Sequence, residues 1–273
     1  MTLNEVRELL PYLTSQERAE LDSLLMETNP IGSLRENPTQ IMTWAGLYPD
    51  PWQARLLREP VDQLLLLCSR QAGKSTVAAA LALRQALFNP DSLILVLSPT
   101  LRQSGEFFRD KVLRNWRGLG CPLDEKKPTQ LEMTFSNGSR IVSLPESEEG
   151  IRGFSSVSML IIDEASRVSE DLYNAVTPML AVTNGKLLAL STPFGKRGWF
   201  FDEWDKGVGW KREKVTASQC PRITPAFLAR ELARKGRRWF DQEYNCSFEA
   251  AVDQYFSAEA IERAMSNEVK PLW

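Results

Sequence analysis

Histidine is absent from all 273 residues. Without an imidazole there is no serine–histidine or cysteine–histidine nucleophile and no His-ligated metal. Acid, base and metal chemistry therefore falls to Asp, Glu, Lys, Arg and hydroxyls. Cysteine is scarce: Cys68, Cys121, Cys220 and Cys246 lie far apart with no C-x-x-C pair. That spacing predicts neither a zinc site nor a disulfide framework, and points to a reducing, cytoplasmic compartment. No apolar run approaches membrane-spanning length, and the Met-Thr-Leu-Asn-Glu start lacks a basic and then apolar leader, so neither a targeting nor a transmembrane segment is expected. Low-complexity tracts and internal repeats are also missing. Charge is nearly balanced at −2, so no global basic field announces nucleic acid. The acidic excess sits in the first thirty residues, with Glu5, Glu8, Glu17, Glu20, Asp22 and Glu27 against Arg7 and Arg18. The remainder is slightly basic, which leaves room for a local DNA-contacting patch.

What is present is an ordinary mixture, 43% hydrophobic and 25% charged, in a length that suits one α/β domain with small appendages. Leu64 to Leu67 reads as a short buried strand that runs through Cys68-Ser69-Arg70-Gln71-Ala72-Gly73-Lys74-Ser75-Thr76 into a helix. A loop ending in Gly-Lys-Ser at a helix start curls its backbone N–H groups around a polyphosphate, assisted by the helix N-terminus. Lys74 then reaches the β- and γ-phosphates, Ser75 holds Mg²⁺, and Gly73 lets the backbone approach closely. The full pattern begins with a glycine, and Cys68 stands there instead.

Two further buried strands follow, Ser92 to Leu97 and Val157 to Ile162. The second closes on Asp163-Glu164, which predicts Asp163 in the Mg²⁺ shell and Glu164 polarising the attacking water. A fourth strand, Lys186 to Leu190, ends in Ser191-Thr192-Pro193, whose hydroxyls are suited to sense the γ-phosphate or the catalytic carboxylate. Upstream, Trp52-Gln53 follows a proline-fixed segment. The Gln53 amide offers a donor and an acceptor to an adenine edge, and the aromatic is placed to pack on the base. Residues 2–28 read as two amphipathic helices broken at Pro11, and Asn29-Pro30-Ile31-Gly32 as a turn. Gln130 to Leu144 reads as a hairpin around Asn137-Gly138. Lys211 to Ala217 reads as a last strand, and the helices near Pro225 to Lys235 and Arg237 to Tyr244 carry a basic run whose DNA contact stays open.

Together these segments resemble the ATPase part of the large terminase subunit, the DNA-packaging motor of tailed bacteriophages and their viral relatives. The resemblance covers roughly residues 45–256. It rests on Trp52-Gln53, the variant loop Ser69 to Thr76, Arg152-Gly153, Ile161-Ile162-Asp163-Glu164-Ala165, Ser191-Thr192-Pro193 and Trp239-Phe240-Asp241-Gln242-Glu243-Tyr244. It implies an α/β fold of the P-loop NTPase (ASCE/RecA-like) type, a mostly parallel sheet flanked by helices, with ATP and Mg²⁺ as cofactors. The implied partners are double-stranded DNA, the portal protein and the small terminase subunit in the host cytoplasm, with a homo-oligomeric ring on the portal and a monomer in isolation. It makes Ser191, Thr192 and Pro193 a coupling triplet and Arg152 an arginine finger working between subunits, with Arg70 the competitor acting in its own subunit. In the family an RNase-H-like nuclease follows, and Trp273 comes too soon after Glu243 for one, so no nuclease activity is expected. The expected organisation is a helical appendage at 1–40, the ATPase domain at 41–250 and a linker at 251–273. Two other readings stay open, a DExx-type helicase and a non-hydrolysing nucleotide-binding structural module.

Overall fold

The computed structural model describes residues 30–249, except 60, 127, 147–150 and 152, together with positions 14, 16, 17 and 20. The helices expected over 2–28 lie almost wholly outside the described residues, and Arg152 and the linker at 251–273 entirely so. The described chain folds around one seven-stranded sheet in the order β3-β4-β2-β5-β6-β1-β7. Its strands are β1 (Gln63–Cys68), β2 (Leu93–Ser98), β3 (Glu132–Thr134), β4 (Arg140–Pro145), β5 (Met159–Asp163), β6 (Lys186–Ser191) and β7 (Lys211–Val215). Every neighbouring pair is parallel except β3 with β4.

The apolar runs have the composition that a doubly covered parallel sheet needs. Alternate residues of each strand face opposite sides: Leu64, Leu66, Ile94, Val96, Ile161, Leu188 and Leu190 join one core. Leu65, Leu67, Leu95, Leu97, Leu160, Ile162, Leu187 and Ala189 join the other. Each such side chain taken fully from water contributes about 1.5–3 kcal/mol, so both faces must be roofed. On the first face the roof is α1 (Pro30–Glu36), α2 (Gln40–Thr43), α3 (Pro51–Arg58), α4 (Lys74–Phe88) and the rod α5 (Leu101–Phe107), a π-helical turn (Phe108–Leu113) and α6 (Arg114–Gly118). On the second it is α7 (Glu170–Val176) and α8 (Trp199–Asp205), with Trp199 stacked on Tyr173 at 4.0 Å between ring centroids. The last two helices, α9 (Pro225–Lys235) and α10 (Arg237–Glu243), share a small cluster of their own around Phe240 and Tyr244.

The β3–β4 hairpin forms as its Asn-Gly turn requires, with Gly138 at φ +83° and a Cβ there 2.0 Å from Asp91 Oδ1. The turn expected at Asn29 to Gly32 is helix from Pro30 onward. Pro30 opens α1, where a proline's missing N–H costs nothing and its φ is already helical, and the fully buried Leu34 anchors that helix. Parallel strands β1, β2, β5 and β6 all end at one edge, and the loops leaving that edge carry the candidate site.

Candidate active site

The loop after β1 makes its turn without the first glycine of the pattern. Cys68 is the fully buried last residue of β1, and the Ser69 N–H is donated to the Val215 carbonyl of β7 at 2.8 Å. The left-handed residues that curl the backbone are Gln71, at φ +62°, and Gly73, at φ +92°. Glycine is favoured at 73 by its left-handed conformation, and a Cβ there would stand 2.8 Å from Gln53 Nε2 and displace that amide. Helix α4 then starts at Lys74 with no side-chain cap. The first N–H groups of a helix have no partner within it, and here they border a cavity of about 650 Å³ walled by Arg70 to Thr76, Thr100, Lys111, Glu164, Arg167 and Thr192. An uncapped helix start at a glycine loop, facing a cavity, is suited to an anion.

Two contacts join this loop to the end of β5. Lys74 Nζ is 2.8 Å from Glu164 Oε1, and both side chains are largely buried. Burial works to lower the Lys74 pKa, but the Glu164 and Asp163 carboxylates outweigh it and hold the ammonium above its usual value. The Ser75 hydroxyl donates to Asp163, 3.1 Å from Oδ2 and 3.3 Å from Oδ1. Burial pushes the Asp163 carboxyl up to about 6, with Glu164 adding to the rise while Lys74 and the Ser75 hydrogen bond oppose it. Glu164 itself is left-handed at φ 53° and ψ 41°, a conformation that turns the chain sharply out of the strand.

A hydroxyl and a carboxylate oxygen about one octahedral edge apart are hard ligands that fit Mg²⁺. With Ser75 and Asp163 as its protein ligands, Mg²⁺ would take its remaining ligands from phosphate oxygens and water, the usual arrangement for that ion. Bound there, Mg²⁺ would neutralise charge on a polyphosphate.

Strand β6 lies between β1 and β5, which puts the triplet between the loop and the acidic pair. Thr192 walls the cavity, while Ser191 is fully buried and bonded to Ser166, two residues after Glu164. The Ser166 N–H donates to Ser191 Oγ at 3.2 Å, the two hydroxyls are 2.6 Å apart, and the Ser166 hydroxyl donates to the Thr192 carbonyl at 2.9 Å.

Beside this first cavity is a second one of about 720 Å³, bordered by Tyr48, Gln53, Gly73, Thr76, Lys111 and Arg222. Gln53 is buried there, its Oε1 accepting from the Asp50 N–H at 2.9 Å and its Nε2 donating to the Gly73 carbonyl at 3.1 Å. One N–H and one lone pair of the amide remain for a base. Trp52 departs from its expected place. It is 4% exposed and packs in the core with α4, because the third residue along α3 and the second point to different sides. The aromatic at the cavity is Tyr48, 85% exposed. Ser69 departs too: its side chain is fully buried behind the loop, and it serves as the joint to β7.

A family model described as "Terminase large subunit, T4likevirus-type, N-terminal" matches residues 65–263. The chain belongs to this terminase family. It is 23% identical over 251 residues to the terminase large subunit of Thermus virus P23-45, covering 78% of this chain and 51% of that protein. The chain thus spans about half the length of the curated relatives it matches. The fold superimposes on the large terminase ATPase domain of Thermus phage P74-26 with a TM-score of 0.67 at 18% identity, covering 76% of this chain and 96% of that one. It superimposes on the large terminase of another thermophilic bacteriophage, solved in complex with ADP, with a TM-score of 0.59 at 16% identity, covering 77% and 52% of the two chains.

Several residues that border the site in this terminase domain had no role assigned to them from the sequence. Glu243 holds Arg70: the Arg70 guanidinium donates to Glu243 Oε2, and the Arg70 N–H donates to the Glu243 carbonyl at 2.9 Å. Arg222 grips Asp50 with two bonds of 2.7 and 2.8 Å and also donates to the Ala72 carbonyl at 3.1 Å. Lys111 borders both cavities from the π-helical turn, a distortion often found at functional sites. The acidic–basic pairs of the site join residues far apart in the chain, so only Ser166 and Arg167, next to the Asp-Glu pair, lay within reach of a sequence argument.

Proposed function

We propose that this domain binds Mg-ATP and hydrolyses it, and that the hydrolysis drives double-stranded DNA into a procapsid, as the family resemblance implies. The observation that carries the reading is the uncapped start of α4 on the phosphate cavity, with Lys74 set against Glu164 and Ser75 against Asp163. ATP would take Lys74 and release Glu164 to orient the attacking water, a positioned base of the usual kind. Gln53 and Tyr48 would hold the base in the second cavity, and Arg152 or Arg70 would stabilise the charge on the transferring phosphoryl group, for a gain of roughly 10³–10⁵ in rate. The whole motor would work as a ring on the portal protein, with the small terminase subunit presenting the DNA.

The test is phosphate release from Mg-ATP, with and without double-stranded DNA, by the wild type and by Lys74→Ala. Release that DNA stimulates and Lys74→Ala abolishes is the expected result. Binding without release would leave a nucleotide-binding structural module, and separation of strands in a displacement assay would favour a helicase.

A further inference from the structure

Three of the cations around the loop are already committed. Lys74 lies on Glu164, Arg70 on Glu243 and Arg222 on Asp50. Arg167 walls the same cavity and has no carboxylate partner among the described residues; its contact is the face of Phe194, 4.2 Å from the guanidinium carbon to the ring centroid. Arg197 approaches that ring as well, at 5.0 Å.

The backbone around Arg167 is fixed on both sides. Its N–H is donated to the Glu164 carbonyl at 2.8 Å, and its neighbour Ser166 is bonded to Ser191 and Thr192. Phe194 in turn directly follows Pro193 of the triplet. The side chain of Arg167 is therefore the movable part of a rigid frame that touches the phosphate cavity at one end and the segment after β6 at the other.

From this geometry we infer that Arg167 binds the γ-phosphate in its own subunit, leaving the ring of Phe194 to do so, and that this exchange reports the presence of ATP to the segment from Thr192 to Trp199. The inference rests on the ATPase reading and adds a residue to it. It differs from the roles given to Arg152 and Arg70 because it links phosphate contact to the coupling segment through one ring. A cation–π contact at an exposed site is weak enough to be exchanged for a charge-assisted bond to phosphate.

The experiment is calorimetric titration of the whole chain with Mg-ATPγS and with Mg-ADP. Arg167→Ala should weaken ATPγS by about 10- to 100-fold, the worth of a charge-assisted hydrogen bond, and leave ADP unchanged. Phe194→Leu should have the opposite sign, tightening ATPγS by about two- to fivefold because the contact to be given up is gone. Hydrogen exchange over residues 192–199 should be slower with ATPγS than with ADP in the wild type, and equal in Arg167→Ala. Equal effects of Arg167→Ala on both nucleotides, or none on either, would overturn the inference alone. A preference for ATPγS that depends on Arg167 only at protein concentrations where the chain associates would overturn the assignment to its own subunit. A wild type that binds neither nucleotide would overturn the ATPase reading, and this inference with it.

Discussion

Lys74 and Glu164 neutralise each other at 2.8 Å, so the group expected to bind phosphate and the group expected to orient water hold each other in place. Replacing Glu164 by Gln removes the base but also frees the lysine. Hydrolysis in Glu164→Gln should fall by roughly 10²–10⁴ while ATP affinity is kept or rises, and single-turnover rates near those of the wild type would move the base elsewhere. Asp163 shows the cost of such a site. Its folded pKa of about 6 lies above the ordinary 3.8, so the folded chain binds that proton more tightly than the unfolded one. The resulting stabilisation is full below the unfolded value and is lost as the pH rises through about 6. In metal-free protein near pH 8, Asp163→Asn should therefore be more stable by on the order of 2–3 kcal/mol, roughly 4–10 °C in melting temperature, and by little near pH 4. A melting difference that ignores pH would show that the carboxyl is not held in that way.

At the scale of elements, the site depends on segments that would not hold their places alone. The loop before α4 is curled by Gln71 and Gly73, and Arg222 ties its Ala72 carbonyl to Asp50, the N-cap of α3. Asp50 is 6% exposed, and Arg222→Ala leaves its carboxylate without that partner. Because the guanidinium is half exposed, the expected loss of stability is moderate, about 1–2 kcal/mol. The displaced α3 and loop should raise the KM for ATP more than they lower kcat. Arg222→Lys should recover part of the stability and little of the KM, since an ammonium cannot grip both oxygens at once, and an unchanged KM in both variants would refute this role. The strands were legible in the sequence because unbroken runs such as Leu64 to Leu67 and Leu160 to Ile162 suit little else than a doubly buried sheet. Helix α8 was not legible, since Trp199 and Phe200 become apolar anchors only against α7 and Val168, whose carbonyl accepts from the Trp199 indole N–H at 3.0 Å. The fate of Trp52 was hidden for a similar reason: an aromatic beside a glutamine reads as a base-stacking pair until the core claims one of the two.

At the scale of the whole molecule, the proposed hydrolysis would depend on charge delivered to the transferring phosphoryl group, and beside Arg167 the proposed sources of that charge are Arg152 and Arg70. Arg152→Ala keeps a good pocket and Lys74→Ala keeps a good finger, so mixing the two should restore some hydrolysis if Arg152 works across a subunit boundary. Specific activity of the wild type should then rise with protein concentration. Flat activity on dilution and a dead mixture would transfer the role to Arg70, which Glu243 already aims along the cavity rim. Thr192→Val should impair translocation by the full motor more than nucleotide affinity, and loss of affinity with translocation intact would remove the triplet from coupling. By itself the sequence determined the local patterns: a Gly-Lys-Ser loop at a helix start, a strand closing on Asp-Glu, and a strand closing on hydroxyls are each set by residues a few positions apart. Tertiary structure alone decided the order of the strands, and with it that β6 stands between β1 and β5 so that Thr192 and Ser166 meet beside Glu164. It also decided the pairs Arg222–Asp50 and Arg70–Glu243, which join residues 172 and 173 positions apart. The physical reason is that leucine-rich strands buried on both faces are interchangeable as far as hydrophobic burial is concerned, so their order, and every contact that follows from it, is settled only when helices, turns and ion pairs close around the sheet together.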